Sequence, residues 1–200
     1  MPKAFSEQEK AIIQQQLREK GQQLFALHGI KKTSVDDLVQ AVGISKGAFY
    51  LFYPSKEELL LDSLEHIEAE LQTGVLTYAT RANQNARQNV RDMLRHFLLM
   101  WDAYPLLKHF TQEDYMLLAR KLPPERLQGH ADRDEAFITN FTAKLASEGI
   151  TMHAPPRVVA NLIKSLFFVG LHRDELGEDA YRETMAVLVD LVAGYVTEGA

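Results

Sequence analysis

Lys46, Gly47, Ala48 and Tyr50 crowd into one short stretch, and their types suit a surface that reads nucleic acid. A lysine ammonium can donate to a phosphate or a guanine edge, an alanine can meet a thymine methyl, and a tyrosine offers a ring and a phenol donor. Gly47 lets the backbone approach closely. The same stretch, Gly43-Ile44-Ser45-Lys46-Gly47, formally matches the G-x-S-x-G elbow of serine hydrolases. That elbow needs a buried strand before its serine, whereas an amphipathic helix precedes Ser45, which reads better as a helix cap. There is no G-x-G-x-x-G and no G-x-x-x-x-G-K loop, and the seven histidines form no His-x-x-x-His or Glu-x-x-His pair. With no cysteine, thiolate metal sites, disulfides and a cysteine nucleophile are excluded. No metal, cofactor or catalytic residue is expected, and the chain does not read as an enzyme.

Two helices must position these residues. Ser34 can cap the first, with Asp36 and Asp37 favourably placed at its N-terminus and Val35, Leu38, Val39 and Val42 on one apolar face. Gly43 falls where a chain leaving a helix commonly needs a positive φ, and Ser45 caps the next helix. Two short helices joined by a tight glycine turn form a helix-turn-helix, whose second helix lies in the DNA major groove. Phe49 points instead to a small core with Leu38, Val42 and Phe25. Ser55-Lys56-Glu57-Glu58 is a capping box opening a further helix, and its N-terminus with Lys56 makes a phosphate site.

The run GIKKTSVDDLVQAVGISKGAFYLFYPSKEELLLDSL resembles the N-terminal domain of the TetR (tetracycline-repressor-like) family of bacterial transcription regulators. The resemblance covers about the first third of the chain, with turn, caps, aromatics and Lys-Glu-Glu-Leu in register. It implies a DNA-binding set of Thr33, Ser34, Ser45, Lys46, Gly47, Ala48, Tyr50 and Lys56. Two positions depart from the family pattern. Ala48 stands where threonine is common, removing a hydroxyl donor, and Phe52-Tyr53 replaces Tyr-Phe or His-Phe, which would turn the Tyr53 phenol toward an apolar interior.

Composition fits this reading once it is divided. The 200 residues carry a net charge of −5; residues 1–56 hold eight Lys/Arg and five Asp/Glu, net +3, and residues 57–200 hold fourteen and twenty-two, net −8. Positive charge therefore accompanies the helix-turn-helix, as phosphate binding requires. The N-terminus lacks the apolar core of a signal peptide and no stretch is long enough for a membrane span, so a cytoplasmic location and no membrane partner are expected.

The rest of the chain reads as amphipathic helices: Ser6-Glu7-Gln8-Glu9 opens one running to about His28, and Thr80 to Asn89 is a polar connection before another ending at Tyr104. Thr111 caps a helix that Pro123-Pro124 breaks, and later helices span about Asp132–Ser147, Pro156–Leu171 and Glu178 onward. Gly21 reads as a close approach or a tolerated weakness, Lys31 and Lys32 as phosphate contacts or a solvated loop, and Arg87, Arg91 and Arg95 as a solvated stripe or an anion-pocket wall. The expected fold is all-α with about nine helices: a three-helix helix-turn-helix domain over 1–54 and a ligand-binding and dimerisation bundle over 55–200. The last two helices are over-hydrophobic and suggest a two-fold four-helix interface, using Leu166, Val169, Leu188 and Val192, in a homodimer. Phe97, Trp101, Tyr104, His109, Phe110, Tyr115, Phe137, Phe141 and Phe167 would line a pocket if they converge, an inference carried mainly by the resemblance. The leading expectation is a homodimeric repressor released from a palindromic DNA operator by a small apolar or aromatic effector. The alternatives are a small-molecule-binding helical protein or enzyme with a purely structural helix-turn-helix, and a regulator without a ligand.

Overall fold

The computed structural model of the chain describes residues 5–79, 85–150 and 152–198. Among them are eleven helices and no strand: α1 (Glu7–Lys32), α2 (Val35–Val42), α3 (Lys46–Phe49), α4 (Lys56–Ala79), α5 (Ala86–Ala103), α6 (Pro105–Lys108), α7 (Gln112–Lys121), α8 (Pro124–Ser147), α9 (Pro156–Leu171), α10 (Arg173–Leu176) and α11 (Glu178–Glu198). The all-α expectation holds. The two helices beyond the expected nine, α6 and α10, are single turns of four residues, too short for apolar periodicity to reveal.

Caps set most helix starts. Ser6 with Glu9, Ser34 with Asp37 and Thr111 with Asp114 each form a reciprocal capping box. Pro123-Pro124 does more than break α7. Pro124 takes the first position of α8, where its missing N–H costs nothing, so α8 starts there and not near Asp132. Gly29, at φ 72°, kinks α1 without ending it, and one further turn reaches Lys32. Of the polar connection Thr80–Asn89, residues 80–84 lie outside the described residues; Asn85 accepts from the Gln88 amide at 2.8 Å at the start of α5.

The chain forms two compact units, one within Met1–Glu68 and Ala103–Leu122, the other within Ala69–Asp102 and Pro123–Ala200. This grouping differs from a division at 54/55 because α6 packs on α1, with Leu106, Leu107, Phe110 and Leu118 buried. In the first unit, Leu17, Phe25, Ile30, Leu38, Phe49, Leu59 and Leu60 form the core. A fully buried side chain of this size contributes about 1.5–3 kcal/mol. Gly21 is accounted for by a side chain and not a backbone: a Cβ there would sit 3.1 Å from the Leu59 side chain.

In the second unit, α9 packs on α8 and α11. Val90, Met93 and Leu94 of α5, Ile138, Phe141 and Leu145 of α8, Val159 and Leu166 of α9, and Met185, Val189 and Val196 of α11 share one core. The arginine stripe of α5 is a partly solvated face, with Arg95 exposed and the other two members paired to α11. Arg87 donates to Asp190 at 2.8 Å and Glu198 at 3.3 Å, and Arg91 lies 3.7 Å from Asp190, so carboxylates of α11 hold two of its three members. Arg173 forks onto Asp102 and Glu178 and stacks 4.5 Å from the centre of the Tyr181 ring. No described helix is long and apolar enough to cross a membrane.

Candidate nucleic-acid interface

The interface is built on the turn between α2 and α3. Gly43 takes the left-handed conformation, φ 77° and ψ 32°, and its amide and that of Ile44 both donate to the Val39 carbonyl. An L residue at that φ would be strained, so glycine fixes the turn. Ser45 then caps α3 by accepting from the Ala48 amide at 3.1 Å. Helical turns continue past α3, with the Tyr50 amide donating to Lys46, Leu51 to Ala48 and Tyr53 to Phe49. α3 itself ends at Phe49, and residues 50–52 follow it as tight turns.

One face is buried and the other is presented. Phe49 is 0% exposed and Ala48 is 8% exposed, whereas Lys46, Gly47, Tyr50 and Leu51 are exposed. The exposed four follow helical spacing, since 46 and 50, like 47 and 51, are one turn apart. The Tyr50 ring stands edge-on to Phe49 at 5.5 Å, which braces it. Lys46 Nζ donates to Asp36 Oδ2 of α2 at 3.0 Å. Sequence reading missed Asp36 as a partner for Lys46, because a contact across a turn leaves no periodic signal.

Two expected DNA contacts are corrected, and a third residue has a structural role as well. Thr33 is 1% exposed and its hydroxyl donates to the Gly29 carbonyl at 2.9 Å, so it closes α1 from within the core. Ala48 faces the head's core and does not present its methyl. Lys56 donates to the carbonyls of Ile30 at 2.6 Å and Thr33 at 2.7 Å, filling acceptors at the end of α1 with two of its three donors. Ser34 and Ser45 remain exposed at the caps of their helices. Hydrogen bonds from the Ser34 hydroxyl and amide hold the Asp37 carboxyl below the usual carboxylate range. Of the loop lysines, Lys31 pairs with Glu113 of α7 and Lys32 is exposed.

The inverted Phe52-Tyr53 pair also has a local cause. Tyr53 is 5% exposed, and its phenol donates to Asp62 Oδ2 of α4 at 2.6 Å instead of facing only apolar groups. Burial, then the carboxylate, push the phenol pKa up, keeping the donor protonated. Arg18 of α1 lies 3.7 Å from the same carboxylate. Tyr53 thus ties the recognition segment to α4 within the first unit.

The nine aromatic and histidine candidates for an effector pocket fall into both units. In the second, Phe97, Trp101 and Phe167 form a chain of ring contacts at 5.8 and 5.3 Å, and Phe137 stacks on Phe141 at 5.7 Å. In the first, Tyr104 and His109 line an open groove of about 590 Å³ with Leu27, Ile67 and Leu106, while Phe110 is buried and Tyr115 half-buried. The interface candidates divide similarly. Leu166 and Val192 are buried in the chain's own core, against which Val169 and Leu188 pack partly exposed. The outward stripe is Val187, Leu191 and Tyr195 of α11, with Phe168 of α9 also exposed.

A capped helix-turn-helix with a buried face and a Lys-Gly-Tyr face outward defines a DNA-binding protein class. The chain belongs to the tetR family of bacterial regulatory proteins, whose description matches residues 17–62. It is 30% identical over 141 residues to the transcriptional regulator MftR of Mycobacterium tuberculosis, covering 69% of this chain and 67% of that protein. It is 40% identical over 79 residues to the HTH-type transcriptional regulator YuxN of Bacillus subtilis, covering 40% of this chain. The match spans only a quarter of YuxN's length. Its fold is similar to that of Thermus thermophilus FadR, a TetR family transcriptional repressor solved with lauroyl-CoA, at TM-score 0.66 and 19% identity, covering 93% of this chain and 94% of FadR. The relatives are regulators, which disfavours the reading as an enzyme or carrier with a structural head.

Proposed function

We propose that the protein is a homodimeric repressor that binds a palindromic double-stranded DNA operator and leaves it when a small apolar or aromatic effector binds. The single observation that carries the reading is the outward face of Lys46, Gly47 and Tyr50 on a helix whose other face, Ala48 and Phe49, is buried. Lys46 supplies a charged donor to a phosphate or guanine edge, Gly47 the close approach and Tyr50 a braced ring and phenol. Ser34 and Ser45 are exposed at the caps of α2 and α3, and Lys32 is exposed at the end of α1. Thr33, Ala48 and Lys56 act from inside the head, by holding α1 and α3 in place.

Self-association through the exposed stripe Val187, Leu191 and Tyr195, with Phe168, supplies the second head. Three large apolar side chains at helical spacing on one exposed face are what a partner copy would cover. Two heads then meet half-sites about 34 Å apart, one DNA turn, or a multiple of it. The effector enters among the aromatic residues Phe97, Trp101 and Phe167. The similarly folded FadR from Thermus thermophilus holds lauroyl-CoA, which favours an apolar ligand for this chain too. Because α4 contributes to both compact units, we assign it the task of reporting the effector to the head. Linkage requires DNA to weaken effector binding by the factor by which effector weakens DNA binding.

Selection from a random duplex library at fixed moderate salt tests the reading, since phosphate contacts make affinity steeply salt-dependent. Enrichment of one palindrome is the expected result. Uniform retention of all sequences would contradict it.

A further inference from the structure

Leu51 is 75% exposed, as far out of the core as any large apolar side chain among the described residues of the first unit. It does not sit on an arbitrary surface. The Leu51 amide donates to the Ala48 carbonyl at 3.1 Å and the Tyr53 amide to Phe49 at 3.0 Å, so tight turns carry the chain on past the end of α3. Leu51 lies one turn beyond Gly47 and beside Tyr50, on the face formed by Lys46, Gly47 and Tyr50, while Ala48, Phe49 and Tyr53 take the buried side. The residue that sequence reading set against a thymine methyl, Ala48, is turned into the core. The presented face thus holds one cation, one bare backbone position, one phenol and one branched aliphatic group.

A leucine has no hydrogen-bonding atom in its side chain, so it can neither fix a phosphate nor read a donor or acceptor. The one group it can recognise in the major groove is the thymine C5-methyl. We propose that Leu51 is a specificity-determining residue that packs on a thymine methyl in each operator half-site and selects an A·T pair there. This rests on the regulator reading above. Lys46 and Tyr50 hold the face on the duplex, and Leu51 contributes sequence preference more than affinity for DNA in general.

The experiment compares thymine with deoxyuridine, which pairs identically and lacks only the methyl. The operator selected by the full-length protein is resynthesised with each thymine replaced, one symmetric pair at a time, and titrated with the parent protein and with Leu51→Ala. At one pair of positions the parent should bind the thymine duplex more tightly by about fourfold per half-site, the equivalent of one buried methyl-sized group, or about fifteenfold for both. Leu51→Ala should bind the two duplexes alike while keeping its preference for the operator over shuffled DNA. Because Leu51 is exposed, the variant should retain its melting temperature. Selection of an operator at which every deoxyuridine duplex binds the parent equally well would overturn this inference alone, as would undiminished discrimination by Leu51→Ala. Selection of no operator by the parent would overturn the regulator reading and this inference together.

Discussion

The two compact units solve opposite surface problems. In the first, short helices are placed by local devices, Ser34 and Ser45 capping, Gly43 turning and Lys56 filling the end of α1, and the exposed face around Tyr50 is mixed in character. In the second, long helices share an apolar core and α11 leaves Val187, Leu191 and Tyr195 outside it. The head's residues are arranged by contacts a few positions apart, so the face they present is settled within a short segment. The second unit's presented face is what remains after its core is filled, and in the proposed dimer a partner copy covers it. Changes in the head should therefore alter which DNA is bound, and changes on α11 how many copies assemble.

The largest effect should come from emptying the head's core. Phe49→Ala removes a fully buried ring and should cost about 3–5 kcal/mol. Hydrogen exchange should show amides of α2 and α3 losing protection while those of α9 and α11 keep theirs; equal loss in both units would erase the distinction drawn here. Next, Leu191→Glu combined with Tyr195→Glu should weaken self-association by about a thousandfold if each ranks as an interface hot spot of about 2 kcal/mol. Sedimentation reads this directly, and an unchanged mass would place the dimer contact elsewhere.

Lys56→Met sharpens the contrast between holding the head together and touching DNA. It strips donors from the Ile30 and Thr33 carbonyls and should cost about 1–3 kcal/mol of stability. The dependence of DNA affinity on salt should hardly change, whereas Lys46→Ala should lower its logarithmic slope by about one counterion. The reverse pattern would return Lys56 to the phosphate backbone.

The smallest effect concerns acid. The Asp37 carboxyl, hydrogen-bonded by Ser34, and the Glu178 carboxyl, hydrogen-bonded by Arg173, are both held below their usual values. Each contributes stability that is present above its unfolded pKa and is lost as pH falls through the folded one. Ser34→Ala should bring the Asp37 titration back toward its ordinary range in carbon-detected NMR and leave Glu178 where it was. A shift in both would couple the two sites.

How much of this was legible in the sequence follows the same division. The helix-turn-helix could be read because caps and a turn glycine act over three or four residues, and α9 and α11 because apolar periodicity runs long, whereas α8 was read only from Asp132 and its first two turns, opened by Pro124, were missed. Thr33 and Ala48 were misplaced, and the structural role of Lys56 was missed, for one reason: their types suit DNA equally well, and only packing shows that a threonine is 1% exposed or that a lysine faces two carbonyls. Leu166 and Val192 likewise look like interface residues until the core that buries them is seen. The Tyr53 to Asp62 bond joins residues nine apart on different elements, a separation with no periodic signature.

The most direct test of the account is the affinity ratio of the selected operator to a shuffled duplex, measured at one fixed salt for the parent and for Lys46→Ala with Tyr50→Ala. Two lost contacts of about 1–3 kcal/mol each should cut operator affinity by about thirtyfold or more per half-site and collapse the ratio toward one, with helicity and assembly unchanged. A ratio that survives the double substitution would mean that the face of Lys46 and Tyr50 is not the one that reads DNA.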